Sequence, residues 1–451
     1  MGGARGRRLL VALALGWPLA SCAPPAPVVP TPPPIIRRER PPVPVPPPIP
    51  ERLRGEPWID VGLAWDLDNL ELTPERGTML SIQRVGGVLW TTESAGVLRI
   101  RVAPGGAVVE DGRGERIAPQ IALGLGDTLW VGAPDRVAPD TPIRWKGAEW
   151  RGRFKVFVNP RGKLTLADRL PLETYLLGVV PGEIGQLSDD LAEAGRAQAI
   201  AARSYTLFYV GRRASEGFDL YGTVEDQVYG ALGTERPIAT RCVESTRGRV
   251  ALSDGQPIRA NYCSTCGGIT AEVWEAWPAP PLPYLVSHLD AGRDGDYCRE
   301  SRQYRWREAW PVAEFMEDLA RFAPQQGVAL PPGGVGRLID VRIEERSRSG
   351  RAWRLSVVTT TGEILIPAYS LRQVLRRPGN SSAILRSNLF KIDVRRDRAT
   401  RRPIEVVASG AGSGHGVGLC QTGALGMARA GFDAAAILEH YYRGIQVALR
   451  Y

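Results

Sequence analysis

The stretch Leu172–Tyr205, LETYLLGVVPGEIGQLSDDLAEAGRAQAIAARSY, decides how the rest of the chain is read. Leu172, Leu176, Val179 and Val180 recur at helical spacing, Pro181 and Gly182 break the pattern, and a second helix is expected to open with Asp190 and Glu193 as a capping box. One carboxylate, Glu183, is left on the corner between them. An isolated glutamate between two helices is ordinarily a solvated loop residue. Flanked by glycine and apolar neighbours, it also stands where a proton donor would be built.

Toward the N-terminus the period changes from helical to alternating. Leu98, Ile100 and Val102 alternate with arginines, and Phe154, Val156 and Val158 run up to a turn at Asn159-Pro160-Arg161-Gly162. Residues 58–165 therefore read as a β-rich domain. Toward the C-terminus, residues 245–275 return to strands, 312–323 read as a helix and 338–343 alternate as a strand, so an α/β subdomain is expected around 303–400 within a region spanning 166–451. Two short helices close the sequence, the second capped by Asp433 and ending near Gly444. The fold class is α+β, with β-rich parts arranged about a helical segment.

Arg5, Arg7 and Arg8 precede an apolar run, Leu9 to Leu19, that is too short to span a bilayer and reads as an export signal. The run ends Leu19-Ala20-Ser21-Cys22, which looks like a lipobox, so residues 1–21 would be removed and Cys22 lipidated as a membrane anchor. An ordinary signal peptide is the alternative. Residues 22–57 form a Pro-rich tether without the apolar periodicity a core needs; at ~3.1 Å per residue, such a polyproline stretch reaches on the order of 80 Å. The net charge of +9 is spread along 451 residues without an aromatic-interleaved basic stripe, so nucleic-acid binding is not expected. The expected location is the cell envelope, on the periplasmic or extracellular face of a membrane.

Three ordered blocks carry a family resemblance. The first has Leu172, Tyr175, Leu176, Gly178, Val179, Val180 and Glu183, then Ala197, Gln198, Ala199, Ala201, Ala202, Arg203 and Tyr205. The second is ANYCSTCGGITAEVW at 260–274, and the third GHGVGLCQTGALGMARAG at 414–431. Together they resemble the stage II sporulation protein D / LytB (SpoIID/LytB) family over residues 140–451, and only loosely before that. Ile184 stands in place of the family's Met, Ser204 in place of its Thr, and Cys263 where the family often has His.

The resemblance implies a lytic transglycosylase that cleaves between N-acetylmuramic acid and N-acetylglucosamine of peptidoglycan glycan strands and leaves a 1,6-anhydro end. Such chemistry needs one carboxyl group acting as acid and then base, where an ordinary glycosidase needs two. Glu183 is that catalytic candidate, with Val179, Val180 and Ile184 expected as the apolar walls that would raise its pKa. No cofactor is required. The rival implied by the LytB name is a noncatalytic glycan-binding enhancer of a cell-wall amidase.

Candidate sugar-binding residues are Gln227 and Tyr229 in DQVYG, and Ser264 and Thr265 before a glycine pair. Gln198, Arg203 and Tyr205 share an alanine-rich helix and read equally as groove residues or as ties between helix and loop. His415 lies among glycines at 410, 412, 414, 416 and 418, whose spacing matches no nucleotide-binding loop, and the third block adds Gln421. After Cys22, five cysteines remain. In an oxidising compartment the default is a disulfide, Cys298 bridging Cys263 or Cys266. Zinc on Cys263 and Cys266, completed by Cys298 or a histidine, is the weaker alternative, and a thiol peptidase weaker still.

Overall fold

The structure, a computed structural model, describes residues 53–117, 123–132 and 142–451. The export signal, Cys22 and nearly all of the tether lie outside the described residues. The architecture is α+β and strand-rich, with seven α-helices among the described residues. No helix among them is long and apolar enough to cross a membrane.

The first body is built on a seven-stranded sheet ordered Leu220–Tyr221, Trp58–Leu67, Leu164–Pro171, Arg153–Val158, Thr128–Val131, Met79–Arg84, Gly87–Glu93. The alternation read from the sequence appears as burial: Leu98, Ile100, Phe154 and Val156 are fully buried in one core. The Asn159 turn forms as expected, with Gly162 N–H donating to the Asn159 carbonyl at 2.9 Å and Gly162 at φ +73°. Strands Trp58–Leu67 and Leu164–Pro171 extend beyond this core, so that Ile59, Val61 and Leu170 join the next one.

That central core gathers helices α1 (Leu172–Ile184), α2 (Ala192–Tyr209) and α3 (Pro237–Ser245). Between Arg305 and Ala411 the chain leaves it for a third body, containing α4 (Val312–Gln325) and α5 (Ala368–Val374) with two three-stranded antiparallel sheets and a separate core. The chain then returns through α6 (Gln421–Arg429) and α7 (Ala434–Tyr441), which pack back on the central core. Asp433 caps α7 as read, its Oδ1 accepting Ala436 N–H at 2.8 Å.

Two local expectations are corrected. The helix does not stop at Pro181; α1 runs through Pro181 and Gly182 to Ile184, so Glu183 sits in its last turn and not on a loop. Gly185, at φ +80°, ends it. Nor do Asp190 and Glu193 form a capping box: α2 begins after a 3-10 turn at Asp189–Leu191, and no side chain caps it. Glu193 is committed elsewhere, accepting Ala434 N–H at 2.9 Å at the start of α7 and pairing with Arg196.

Candidate functional site

The placement of Glu183 begins with two glycines one turn apart on α1. A Cβ on Gly178 would lie 2.5 Å from the Gly230 carbonyl oxygen, and one on Gly182 would lie 3.1 Å from that of Val228. Bare backbone at both positions lets the loop around Val228–Gly230 lie flat on the helix, with Gly230 N–H donating to the Gly178 carbonyl at 3.2 Å. This brings Val228 N–H to Glu183 Oε1 at 2.8 Å.

The other carboxylate oxygen is held from the far end of the chain. Strand Leu419–Cys420 pairs in parallel with Tyr262–Cys263, Tyr262 opposite Leu419 and Cys263 opposite Cys420. The register delivers Gln421, first residue of α6, so that its side-chain amide donates to Glu183 Oε2 at 3.2 Å. Burial pushes the Glu183 carboxyl above its usual range, and the bonds from Val228 and Gln421 only partly oppose it. Both donors are uncharged.

Glu183 opens into a pocket of about 170 Å³ lined also by Tyr205, Val224, Glu225, Asp226, Val228, Asn261, Tyr262, Trp277 and His415. The His415 ring lies 4.7 Å from that of Trp277, and its Nδ1 accepts Val417 N–H at 3.0 Å. Burial, and then the nearby Arg372 charge, push its pKa down to about 3, so the ring is neutral and carries its proton on Nε2. Asp226 is committed to Arg212 and Arg213, at 3.0 and 3.3 Å. Glu225 is exposed. The hydroxyls of Tyr262 and Tyr175 are buried without a hydrogen-bond partner, and burial followed by the Glu183 charge raises both phenols. Of the two only Tyr262 lines the pocket, and its unpartnered hydroxyl is a donor left for a ligand.

Of the residues singled out in the sequence, Glu183, Tyr205 and His415 meet at this pocket and Gln421 touches it. The expected walls do not. Val179, Val180 and Ile184 face the central core, and the walls are Tyr205, Val224, Tyr262 and Trp277 instead. Arg203 is fully buried and ties α2 to the start of α1: it grips Glu173 at 2.8 and 2.7 Å, and Gly248 N–H and Tyr451 Oη donate to the same carboxylate. Tyr229 is likewise internal, its hydroxyl donating to Asp168 Oδ2 at 3.0 Å. Gln227 is buried beneath the loop and accepts from Thr206 Oγ1 at 2.9 Å. Gln198, on the Tyr205 face of α2 two turns earlier, is buried with neither amide atom partnered. Thr265 bonds Ser301 and Thr422, and Ser264 gives its carbonyl to Thr422, so neither lines the pocket.

Sequence reasoning missed Asn261, Tyr262 and Trp277, although all three fall in or beside the second block. It could not have found Val228, which contributes a backbone group. The cysteines also differ from expectation. All five described are buried and free, and Cys298 is not bridged to Cys263 or Cys266; its Sγ stands 3.7 Å from that of Cys266.

Residues 160–252, which include Glu183, match the SpoIID family described as stage II sporulation protein. Residues 285–418, which enclose the third body, match a domain of unknown function, DUF8618. An uncharacterized protein of Brachyspira hyodysenteriae is 27% identical over 67% of this chain and 73% of its own length. Stage II sporulation protein D of Bacillus subtilis is 26% identical over 62% of this chain and 75% of its own. The amidase enhancer of Bacillus subtilis is 26% identical over 60% of this chain but only 39% of its own length.

Proposed function

The chain carries a SpoIID domain and is distantly homologous to stage II sporulation protein D and to the amidase enhancer, and from that premise we propose that it is a cell-wall protein cleaving peptidoglycan glycan strands as a lytic transglycosylase. The observation that carries this reading is the Glu183 carboxyl, whose pKa burial in the pocket raises above its usual range while only uncharged donors oppose the shift. His415 is neutral and Asp226 is bound to two arginines, so Glu183, with its raised pKa, is the pocket group best suited to deliver a proton.

In the proposed reaction Glu183 gives its proton to the glycosidic oxygen as the bond to the muramic C1 breaks. The muramic 6-hydroxyl closes on C1 and returns its proton to the Glu183 carboxylate. One residue closes the proton count and no water is consumed. Tyr205, Tyr262 and Trp277 supply ring faces for the apolar sides of the sugars, and the free Tyr262 hydroxyl supplies a donor. A second pocket shares Trp277 and His415 and continues past Tyr369 and Arg372 onto the third body, which suits a polymer better than a short ligand. Lipidation at Cys22, with the tether, would set this groove at a distance from a membrane.

The amidase enhancer match supports a second reading, a glycan-binding protein that assists a cell-wall amidase without chemistry of its own. Incubation with purified peptidoglycan, intact and stripped of stem peptides, followed by mass spectrometry, separates the two. Anhydro-muramyl ends from the wild type and none from Glu183→Gln support cleavage. Binding without products supports the enhancer, and reducing ends that depend on Glu225 would replace transglycosylation by hydrolysis.

A further inference from the structure

Behind the pocket, three distant segments converge on a buried group that the proposed reaction does not use. Cys266 follows the Tyr262–Cys263 strand, Asp290 and Cys298 flank the small hairpin Ala291–Gly292 and Gly295–Asp296, and Cys420 is the N-cap of α6. One ligand atom from each of the four lies within 4.8 Å of all the others, and all four residues are buried. We propose that Cys266, Cys298, Cys420 and Asp290 form a structural zinc site.

The geometry favours a metal over a disulfide. With Zn–S bonds of ~2.3 Å, a tetrahedral zinc sets sulfur–sulfur edges of about 3.8 Å. The Cys266–Cys298 separation is 3.7 Å. A disulfide would use two of the sulfurs and strand the third thiol beside a buried carboxylate, whereas one cation satisfies all four ligands. Three sulfurs select a thiolate-seeking ion over calcium or magnesium.

The surroundings are those of ligands being oriented. Asp290 Oδ1 accepts from Tyr441 Oη at 2.7 Å and meets His440 Nε2 at 3.3 Å, while Oδ2 faces Cys266 Sγ at 3.0 Å. Cys420 Sγ accepts the backbone N–H groups of Cys266 at 3.1 Å and Gly423 at 3.3 Å, as a metal-bound thiolate would. These donors also disperse the surplus negative charge of three thiolates and a carboxylate around a divalent ion. Space is tight here, since a Cβ on Gly423 would lie 2.6 Å from Asp290 Oδ2. Cys263, paired in register with Cys420, and Cys242 are outside the group. The zinc site does not rest on the cleavage reaction proposed above. Its effect would be to staple the Cys266 turn, the hairpin and the start of α6, which holds Gln421.

The test uses the full chain purified in reducing buffer with zinc present, then desalted, with metal measured by plasma mass spectrometry. About one zinc per chain is expected. Cys298→Ser and Cys420→Ser should lose it, and Cys242→Ser and Cys263→Ser should keep it. Should the serine variants fail to fold, two measurements on soluble protein decide. Thiol blocking of the wild type should release zinc to a chromophoric chelator, and Asp290→Cys should retain it. A reduced wild-type chain that takes up no zinc would overturn the site. So would a mass two hydrogens lower that maps to a Cys266–Cys298 disulfide, or loss of zinc on replacing Cys263.

Discussion

Gln421 donates its side-chain amide to Glu183 across 238 residues of sequence, at 3.2 Å. The bond favours the carboxylate form and so works against the burial that favours the acid. Gln421→Ala should therefore move the alkaline limb of the cleavage profile to higher pH while lowering the maximal rate by roughly 10 to 100 fold, part of the ~10²–10⁴ that general acid catalysis supplies. A purely structural defect would lower the rate and leave the limb in place, so the pH profile is the deciding readout.

The raised pKa of Glu183 also has a cost in stability. A carboxyl whose folded-state pKa lies above its unfolded value is favoured in the folded protein while protonated, and that contribution is lost as pH rises through the folded pKa. Glu183→Gln removes the dependence. Denaturant melts should find variant and wild type matched near about pH 4, and the variant more stable by roughly 0.5–2 kcal/mol near about pH 8, the common gain when a functional group under strain is neutralised. Equal stability at both pH values would mean that Glu183 is ordinary.

Much of this was legible in the sequence where periodicity and caps speak. The strand pairs around Phe154, the helix at 312–323 and the Asp433 cap are local patterns, and the structure keeps them. Glu183 was legible as a corner residue, yet its corner is the last turn of a helix that tolerates Pro181. Tyr229 misled, and Arg203 was readable only as groove residue or tie, because buried polar side chains in a sequence look the same whether they face a ligand or Asp168 and Glu173. The pocket walls were hidden for another reason: Trp277, Tyr262 and His415 come together only through a parallel strand pair spanning the inserted third body. The same pairing sets Cys420 beside Cys266, which no spacing rule anticipates.

The Glu173–Arg203 pair should behave as a structural keystone. Burial works to raise the Glu173 pKa, but Arg203, Tyr451 and Gly248 together hold it below the usual carboxylate value. Its contribution is thus present above the unfolded pKa and lost as pH falls through the folded one. Arg203→Ala leaves a buried carboxylate unpaired and should cost about 3–5 kcal/mol, while Arg203→Met combined with Glu173→Leu should recover most of it. Urea melts of the two variants test this, and a small loss for Arg203→Ala would return Arg203 to the list of groove residues.

Gly178 gives the most local test of how the site is assembled. An added methyl would meet the Gly230 carbonyl oxygen at 2.5 Å and the Tyr229 ring at 2.7 Å, and a backbone carbonyl cannot swing aside as a side-chain tip can. Gly178→Ala should therefore lift the Val228–Gly230 loop from α1, at a cost of about 1–3 kcal/mol, the usual range for overpacking. Val228 N–H would then withdraw from Glu183 Oε1, and cleavage should fall by more than the loss of folded protein accounts for. Gly182→Ala meets the same loop at only 3.1 Å, where a shift of a few tenths of an ångström suffices, so its effect should run the same way and be smaller. Comparing specific activity per folded molecule for the two variants measures the loop's role: equal activities would show that Val228 does not help hold Glu183.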